Sequence, residues 1–155
     1  MSRYHQGQFR MTNPQKYVGK SAPYARSSWE VKVMQLFDTN SNILQWASEE
    51  VGIPYISPID NRMHTYYPDF MVRYIDANNR EHVELLEVKP NSQSTLETAR
   101  SLADRQALAV NAAKWQAATQ WCKSKGIRFR VITENEIFRN KKNRRGGRRN
   151  QGRKA

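Results

Sequence analysis

Residues 66–89 constrain the fold more than any other stretch. The sequence YYPDFMVRYIDANNREHVELLEVK holds two runs, 70–76 and 82–88, rich in β-branched and aromatic residues. That composition suits half-buried strands. Between the runs, Ala77–Arg80 centres on Asn78-Asn79, which is turn chemistry. The segment predicts an antiparallel hairpin of strands Tyr66–Asp76 and Glu81–Lys89. Pro90, with no N–H to give, stops the second strand.

The flanking sequence supplies the other elements. Helical spacing begins at Ser27, with Trp29, Val33, Leu36 and Phe37 on one face. Ser27 and Glu30 have capping-box spacing, and the DTNSN run over 38–42 should end the helix. ILQWA, 43–47, predicts a short strand, Pro54–Pro58 an extended segment and Ile59–Met63 a turn. Residues 94–124 contain neither Pro nor Gly and are rich in Ala, Leu and Gln, which predicts one long helix or two with a break near Val110-Asn111. Gly126 stands where a C-cap belongs, and Ile127–Thr133 alternates as a strand does. The order α, β, β-hairpin, α, β specifies an α/β chain with a mixed sheet flanked by helices. At 155 residues this is one domain.

Three residues of the hairpin carry chemistry: Asp69 after Pro68, then Glu87 and Lys89. Positions i and i+2 of a strand share a face, so Glu87 and Lys89 project side by side. If Asp76 pairs with Arg80, Asp69 comes opposite Glu87, with Cβ atoms about 5 Å apart. If Asp76 pairs with Glu81, Phe70 takes that place and a bulge or bend at Pro68 is required. Two carboxylates held that close repel unless a cation separates them. Magnesium takes hard oxygen ligands of this kind together with water and substrate phosphate. Such an ion polarises a phosphodiester and activates water, while Lys89 can hold that water or stabilise transition-state charge.

Charge placement agrees. Of the net +12, residues 1–26 contribute five basic residues and residues 139–155 nine, with no acid in either segment. Residues 27–138 hold all fourteen acids and balance at −2. A near-neutral domain, 27–138, between a basic arm, 1–26, and a basic, disordered tail, 139–155, suits a polyanion. Arg144, Arg145, Arg148 and Arg149 are the tail's candidate DNA contacts. Scattered cations of this kind bind backbone charge and add no sequence readout. The aromatic residues Tyr4, Phe9, Tyr17 and Tyr24 can pin the N-terminal arm to the domain or stack on bases, with pinning the favoured use. The chain is 38% hydrophobic, with no apolar run approaching 18 residues, so no membrane partner is expected. MSRYHQGQFR lacks the apolar stretch of a secretory signal. The single Cys122 makes no intrachain disulfide, and no glycine-rich phosphate loop is present, so no nucleotide cofactor is expected.

Tyr67-Pro68-Asp69-Phe70 followed by Glu87-Val88-Lys89-Pro90 on the next strand resembles the PD-(D/E)xK motif of restriction-endonuclease-like nucleases. The preceding helix opening Arg26-Ser27-Ser28-Trp29-Glu30, and the run from Ile53-Pro54 through His64 to Asp69, are similar to the transposon-end endonuclease branch. Within it the chain resembles the head completion nucleases of T-even-type tailed phages. The resemblance covers residues 24–138. It implies a restriction-endonuclease-like fold and a magnesium-dependent endodeoxyribonuclease acting on double-stranded DNA. It implies Asp69 and Glu87 as metal ligands, joined by Glu30, and Lys89 as the catalytic lysine. It also implies a role on packaged DNA ends at the head–tail connector, in the cytoplasm of an infected bacterium or in association with the virion. Arg26 and His64, which flank the motif, are read as DNA contacts.

Each residue also has a plainer role. Glu30 could serve only the capping box, His64 could be an ordinary loop residue, and Cys122 reads as a small buried hydrophobe. Glu30-Val31-Lys32 repeats the E-x-K pattern in a helix, where i and i+2 diverge. A non-catalytic DNA-binding protein of the phage head connector is the alternative function. A basic RNA-associated protein accounts for the arms but not for the converging acids.

Overall fold

A computed structural model describes residues 7–89, 101–133 and 136. In chain order the elements are β1 (Gly7–Gln8), a 3-10 turn (Pro14–Lys16), β2 (Tyr24–Ala25), α1 (Ser28–Thr39) and β3 (Ile43–Ser48). There follow β4 (Ile53–Ile56), β5 (Met63–Tyr66), β6 (Phe70–Ile75), β7 (Glu81–Val88), α2 (Leu102–Ser124) and β8 (Arg128–Ile132). The central sheet runs β3-β6-β7-β8, and the pairs β1-β2 and β4-β5 form separate ribbons. β3-β6 and β6-β7 are antiparallel and β7-β8 is parallel, so the sheet is mixed. A parallel neighbour requires a crossover, and α2 lies in that connection.

The hairpin takes the first of the two registers open to it. Phe70 pairs with Leu86 and Ile75 with Glu81, and the Asp76 N–H donates to the Arg80 carbonyl at 2.9 Å. The Asp76 carboxylate accepts from the Asn78 and Arg80 amides, and Asn79 takes the left-handed conformation at φ 62°. Asn tolerates that region better than most side chains. The first strand departs from the expected Tyr66–Asp76. Residues 67–69 leave the ladder, β6 starts at Phe70, and Tyr66 belongs to β5, which pairs with β4. Pro68 is buried and lacks a donor, so the strand divides between two sheets at that residue.

Alternation along the strands divides the core. Leu86, Val72, Phe70, Trp46 and Ile132 face α1, where Val33, Met34 and Phe37 cover them. Leu85, with Ile53, Tyr55 and Tyr66 of the β4-β5 ribbon, packs on Ala118 and Cys122 of α2. Adjacent Leu85 and Leu86 thus serve opposite layers, as the pleat dictates. α2 is continuous through Val110-Asn111, with Ser101 as its N-cap accepting from the Asp104 amide. Gly126, at φ 71°, turns the chain out of it. The part of the expected helix over 94–100 lies outside the described residues, as does the tail 139–155.

The N-terminal segment is fastened to the domain. Phe9 and Tyr17 meet the Trp46 ring edge-on at 6.2 and 4.8 Å between centroids. The buried Asp38 carboxylate accepts from the Thr12 and Asn13 amides at 2.7 and 2.8 Å. Lys16 Nζ donates to the Phe37 and Asn40 carbonyls at 2.5 and 2.7 Å. An ammonium there satisfies the orphan carbonyls of α1 and complements the negative end of its dipole.

Candidate active site

Four elements deliver acids to one end of the sheet. α1 contributes Glu30 from its first turn. Ser27 caps the helix by accepting from the Glu30 amide at 3.1 Å, but the return half of a capping box is missing. Glu30 Oε2 instead accepts from the Arg26 amide at 2.9 Å. The carboxylate is therefore held at the helix mouth although the residue is buried. Glu49 follows β3 directly. The β3-β6 pairing sets Ser48 beside Phe70, and the Glu49 amide donates to the Asp69 carbonyl at 3.0 Å, so Glu49 and Asp69 are neighbours. Glu49 sits at φ 51°, a left-handed conformation that costs a non-glycine residue about 1 kcal/mol or more.

Asp69 comes from the break at Pro68 and Glu87 from the end of β7. Extending the register by one step places them opposite one another, as the 76–80 pairing required. Asp69 Oδ2 accepts from the Val88 amide at 2.8 Å, and Glu87 Oε2 accepts from the Asp69 amide at 3.3 Å and the Tyr66 hydroxyl at 2.6 Å. These bonds lock both carboxylates to the hairpin. Carboxylate oxygens of Glu30, Glu49 and Asp69 lie within 4.8 Å of one another. Glu87 is joined to this group through Asp69.

The electrostatics are those of an acidic site only partly compensated by Arg26 and Lys114. Burial, then the Glu87 charge, pushes the Asp69 carboxyl up to about 8. Glu87 is raised as well, first by burial, with the Tyr66 hydroxyl, the Asp69 amide and the Lys114 ammonium acting against the rise. Tyr66 is raised far above an ordinary phenol by burial and by Glu87, so its hydroxyl is a donor at any working pH. A dication among these oxygens would offset the repulsion. The donor set is all carboxylate, with no thiolate or imidazole, and it fits a hard divalent cation.

The side chains expected from the sequence fall into four groups. Asp69, Glu87 and Glu30 converge, and Lys89 is at the same strand end. Lys89 Nζ lies 4.9 Å from the centroid of the Trp115 ring, and its amide donates to the Ile132 carbonyl at 2.8 Å. Arg26 reaches the cluster from outside, with Nη2 at 3.2 Å from Glu49 Oε2. His64 sits on the β4-β5 ribbon, 2.8 Å from Asp60 Oδ2 and against the Tyr55 ring. Arg144, Arg145, Arg148 and Arg149 lie outside the described residues.

Four residues at the site were not foreseen. Glu49 needed the partner of β3, and its one local signal is the Glu49-Glu50 doublet closing a predicted strand. Tyr66 needed the strand break at Pro68. Lys114 and Trp115 come from α2. Lys114 Nζ lies 5.6 Å from the Tyr66 ring centroid and 5.9 Å from that of Tyr55, and the Trp115 ring lies under Lys89. Helical periodicity places both residues on the helix but names no partner across the domain.

The family model described as TnsA-like endonuclease N terminal matches residues 40–134, a span that includes Glu49, Asp69, Glu87 and Lys89. The chain is also 29% identical over 145 residues to the head completion nuclease of Enterobacteria phage T4, covering 86% of this chain and 93% of that protein. A mixed sheet that gathers acids at a Pro-Asp break, together with a family match over more than half its length, makes this chain a member of the TnsA-like endonuclease N-terminal family, with a restriction-endonuclease-like fold.

Proposed function

We propose that this protein is a magnesium-dependent DNA endonuclease that hydrolyses phosphodiester bonds, and that it works on DNA ends during completion of a tailed-phage head. Membership of an endonuclease family supports the reaction class. The name of the phage T4 relative supports the setting, in the cytoplasm of an infected host and then at the head. A head connector protein is the protein partner such a setting supplies. No described helix is long and apolar enough to cross a membrane.

The observation that carries the reading is the convergence of Asp69 with Glu30 and Glu49 within 4.8 Å, with Glu87 bonded to the Asp69 amide. Asp69, Glu30 and Glu49 would hold the ion. Glu87, fixed through Oε2 to the Asp69 amide and the Tyr66 hydroxyl, would add a fourth carboxylate beside that ion. When bound, a divalent cation polarises the scissile phosphate and lowers the pKa of the attacking water. Lys89, at the same strand end, would orient that water or neutralise charge gathering on the phosphate. Tyr66 fixes Glu87 by its hydroxyl, and Lys114 favours the ionised form of Glu87. Arg26, His64 and the tail arginines, Arg144, Arg145, Arg148 and Arg149, bind the backbone of the duplex.

The test is nicking of supercoiled DNA with magnesium by the wild type and by Lys89→Ala. The wild type should nick and the variant should lose about a hundredfold or more in rate. Equal nicking by both would point to a contaminant and remove the assignment. Tight DNA binding without any cleavage would favour the assembly reading.

A further inference from the structure

Arg26 is the residue before the α1 cap, and it touches two of the three clustered acids. Its amide donates to Glu30 Oε2 at 2.9 Å, and its guanidinium Nη2 stands 3.2 Å from Glu49 Oε2. Helix stability does not explain a cation there. The N-terminal end of a helix favours anions, so α1 gives Arg26 nothing in return for its charge. The backbone beneath it is nevertheless fixed: Tyr24 and Ala25 pair with β1, Ala25 is buried, and Ser27 is engaged as the cap. The side chain is 64% exposed, so it can leave Glu49 at small cost. An ion held through Glu49 Oε2 competes with the guanidinium for that oxygen, and its charge repels the guanidinium beside it. A planar fork of donors that is released beside a phosphodiester site matches phosphate geometry.

We infer that Arg26 is the counter-ion of Glu49 in the metal-free protein, that the divalent ion displaces it, and that the released guanidinium then grips a phosphate of the DNA backbone beside the cleaved bond. The inference rests on the nuclease reading above and adds an order of events. The acids are partly neutralised before the ion arrives, and the ion's arrival arms a DNA contact. Arg26 thereby opposes metal binding in the absence of DNA and favours DNA binding once metal is present.

Those two effects have opposite signs, which a merely structural arginine would not produce. Mn²⁺ alone is titrated into the full-length protein and free Mn²⁺ is read by electron paramagnetic resonance. KM and kcat are then measured on linear duplex DNA with magnesium. Arg26→Ala leaves the backbone bond to Glu30 intact. It should bind Mn²⁺ about twofold to fivefold more tightly than the wild type. Its KM should rise about tenfold while kcat stays within about threefold. Arg26→Lys keeps the charge beside Glu49, so its Mn²⁺ affinity should stay within about twofold of wild type while KM still rises. Unchanged or weaker Mn²⁺ binding by Arg26→Ala, in a protein whose wild type binds metal and cleaves, overturns the displacement and leaves the nuclease standing. Tighter Mn²⁺ with an unchanged KM overturns the phosphate contact. A wild type that neither binds Mn²⁺ nor cleaves removes the nuclease reading and this inference with it.

Discussion

Asp69→Asn should make the metal-free protein more stable and the metal-loaded protein relatively less so. Burial and the neighbouring Glu87 charge push the Asp69 carboxyl from 3.8 up to about 8. An acid raised in the folded state binds its proton more tightly there than in the unfolded chain. The stability it contributes is complete below about pH 4 and is lost as pH rises towards about pH 8. At 1.36 kcal/mol per pKa unit the full shift corresponds to an upper bound of about 6 kcal/mol. Water entry and side-chain relaxation around repelling carboxylates reduce this to about 1–3 kcal/mol. Asparagine keeps the oxygen that accepts from the Val88 amide and removes the charge. In EDTA at about pH 8 the variant should therefore melt higher than wild type, by roughly 3–8 °C for a chain of this size. At about pH 4.5 the two should coincide. Magnesium at a hundred times its dissociation constant adds about 2.7 kcal/mol to a protein with one site. Only the wild type should receive that increment, so the ranking of the two narrows or inverts. Calorimetric melting at two pH values with and without magnesium reads all four states. A variant that melts below wild type in EDTA at about pH 8 would refute the electrostatic argument. Equal magnesium shifts in both would refute Asp69 as a ligand.

Tyr66→Phe removes the hydroxyl that donates to Glu87 Oε2 and helps keep that carboxyl from rising further. The acid limb of the cleavage rate should move to higher pH, and the plateau should fall about tenfold in a pH–rate profile with magnesium. Lys16→Ala strips the C-terminal carbonyls of α1 of their ammonium and should cost about 1–2 kcal/mol in denaturant unfolding, with cleavage per folded molecule unchanged. Deleting residues 139–155 should lower the slope of log affinity against log salt by about 0.9 for each phosphate that the tail neutralises, while Mn²⁺ binding at the acidic site persists. An unaltered slope would show that the tail does not bind DNA.

What the sequence disclosed and what it hid follow from the range of each interaction. The hairpin was legible because its turn and its pairing are local. Asp76 caps its own turn through the Asn78 and Arg80 amides, and that fixes which residue opposes Glu87. The relation of Asp69 to Glu87 and Lys89 follows from that register alone. Glu30 was visible as a helix-start acid and the resemblance implied it as a ligand, but its spacing alone left the capping box open, because the choice between that box and the Arg26 amide depends on how the preceding strand enters α1. Glu49 was out of reach for a different reason. It joins Asp69 only through the pairing of β3 with β6, two strands separated by the β4-β5 ribbon, and nothing in ILQWA states that partner.

The break at Pro68 explains both the departure from the expected strand and the existence of the site. Had Tyr66–Asp76 run on as one strand, Asp69 would be a regular strand position, its backbone groups committed to the ladder. With the β6-β7 ladder interrupted, the Asp69 amide is free to hold Glu87 and its carboxylate closes on the Val88 amide, while its carbonyl takes the Glu49 amide one step beyond the Ser48–Phe70 pair. The ends of two strands, β3 and β7, are tied to one residue by its backbone and side chain together. The proline that spoils the strand is therefore what allows acids from β3, β6 and β7 to meet. Pro68→Ala would restore a donor but not a partner for it, because Tyr66 is already committed to β4. Its expected effect is a looser acid cluster, read as weaker Mn²⁺ affinity in a protein whose hairpin amides remain as protected from hydrogen exchange as in the wild type. Full retention of metal affinity would mean that the β4-β5 ribbon alone, without the proline, sets the break.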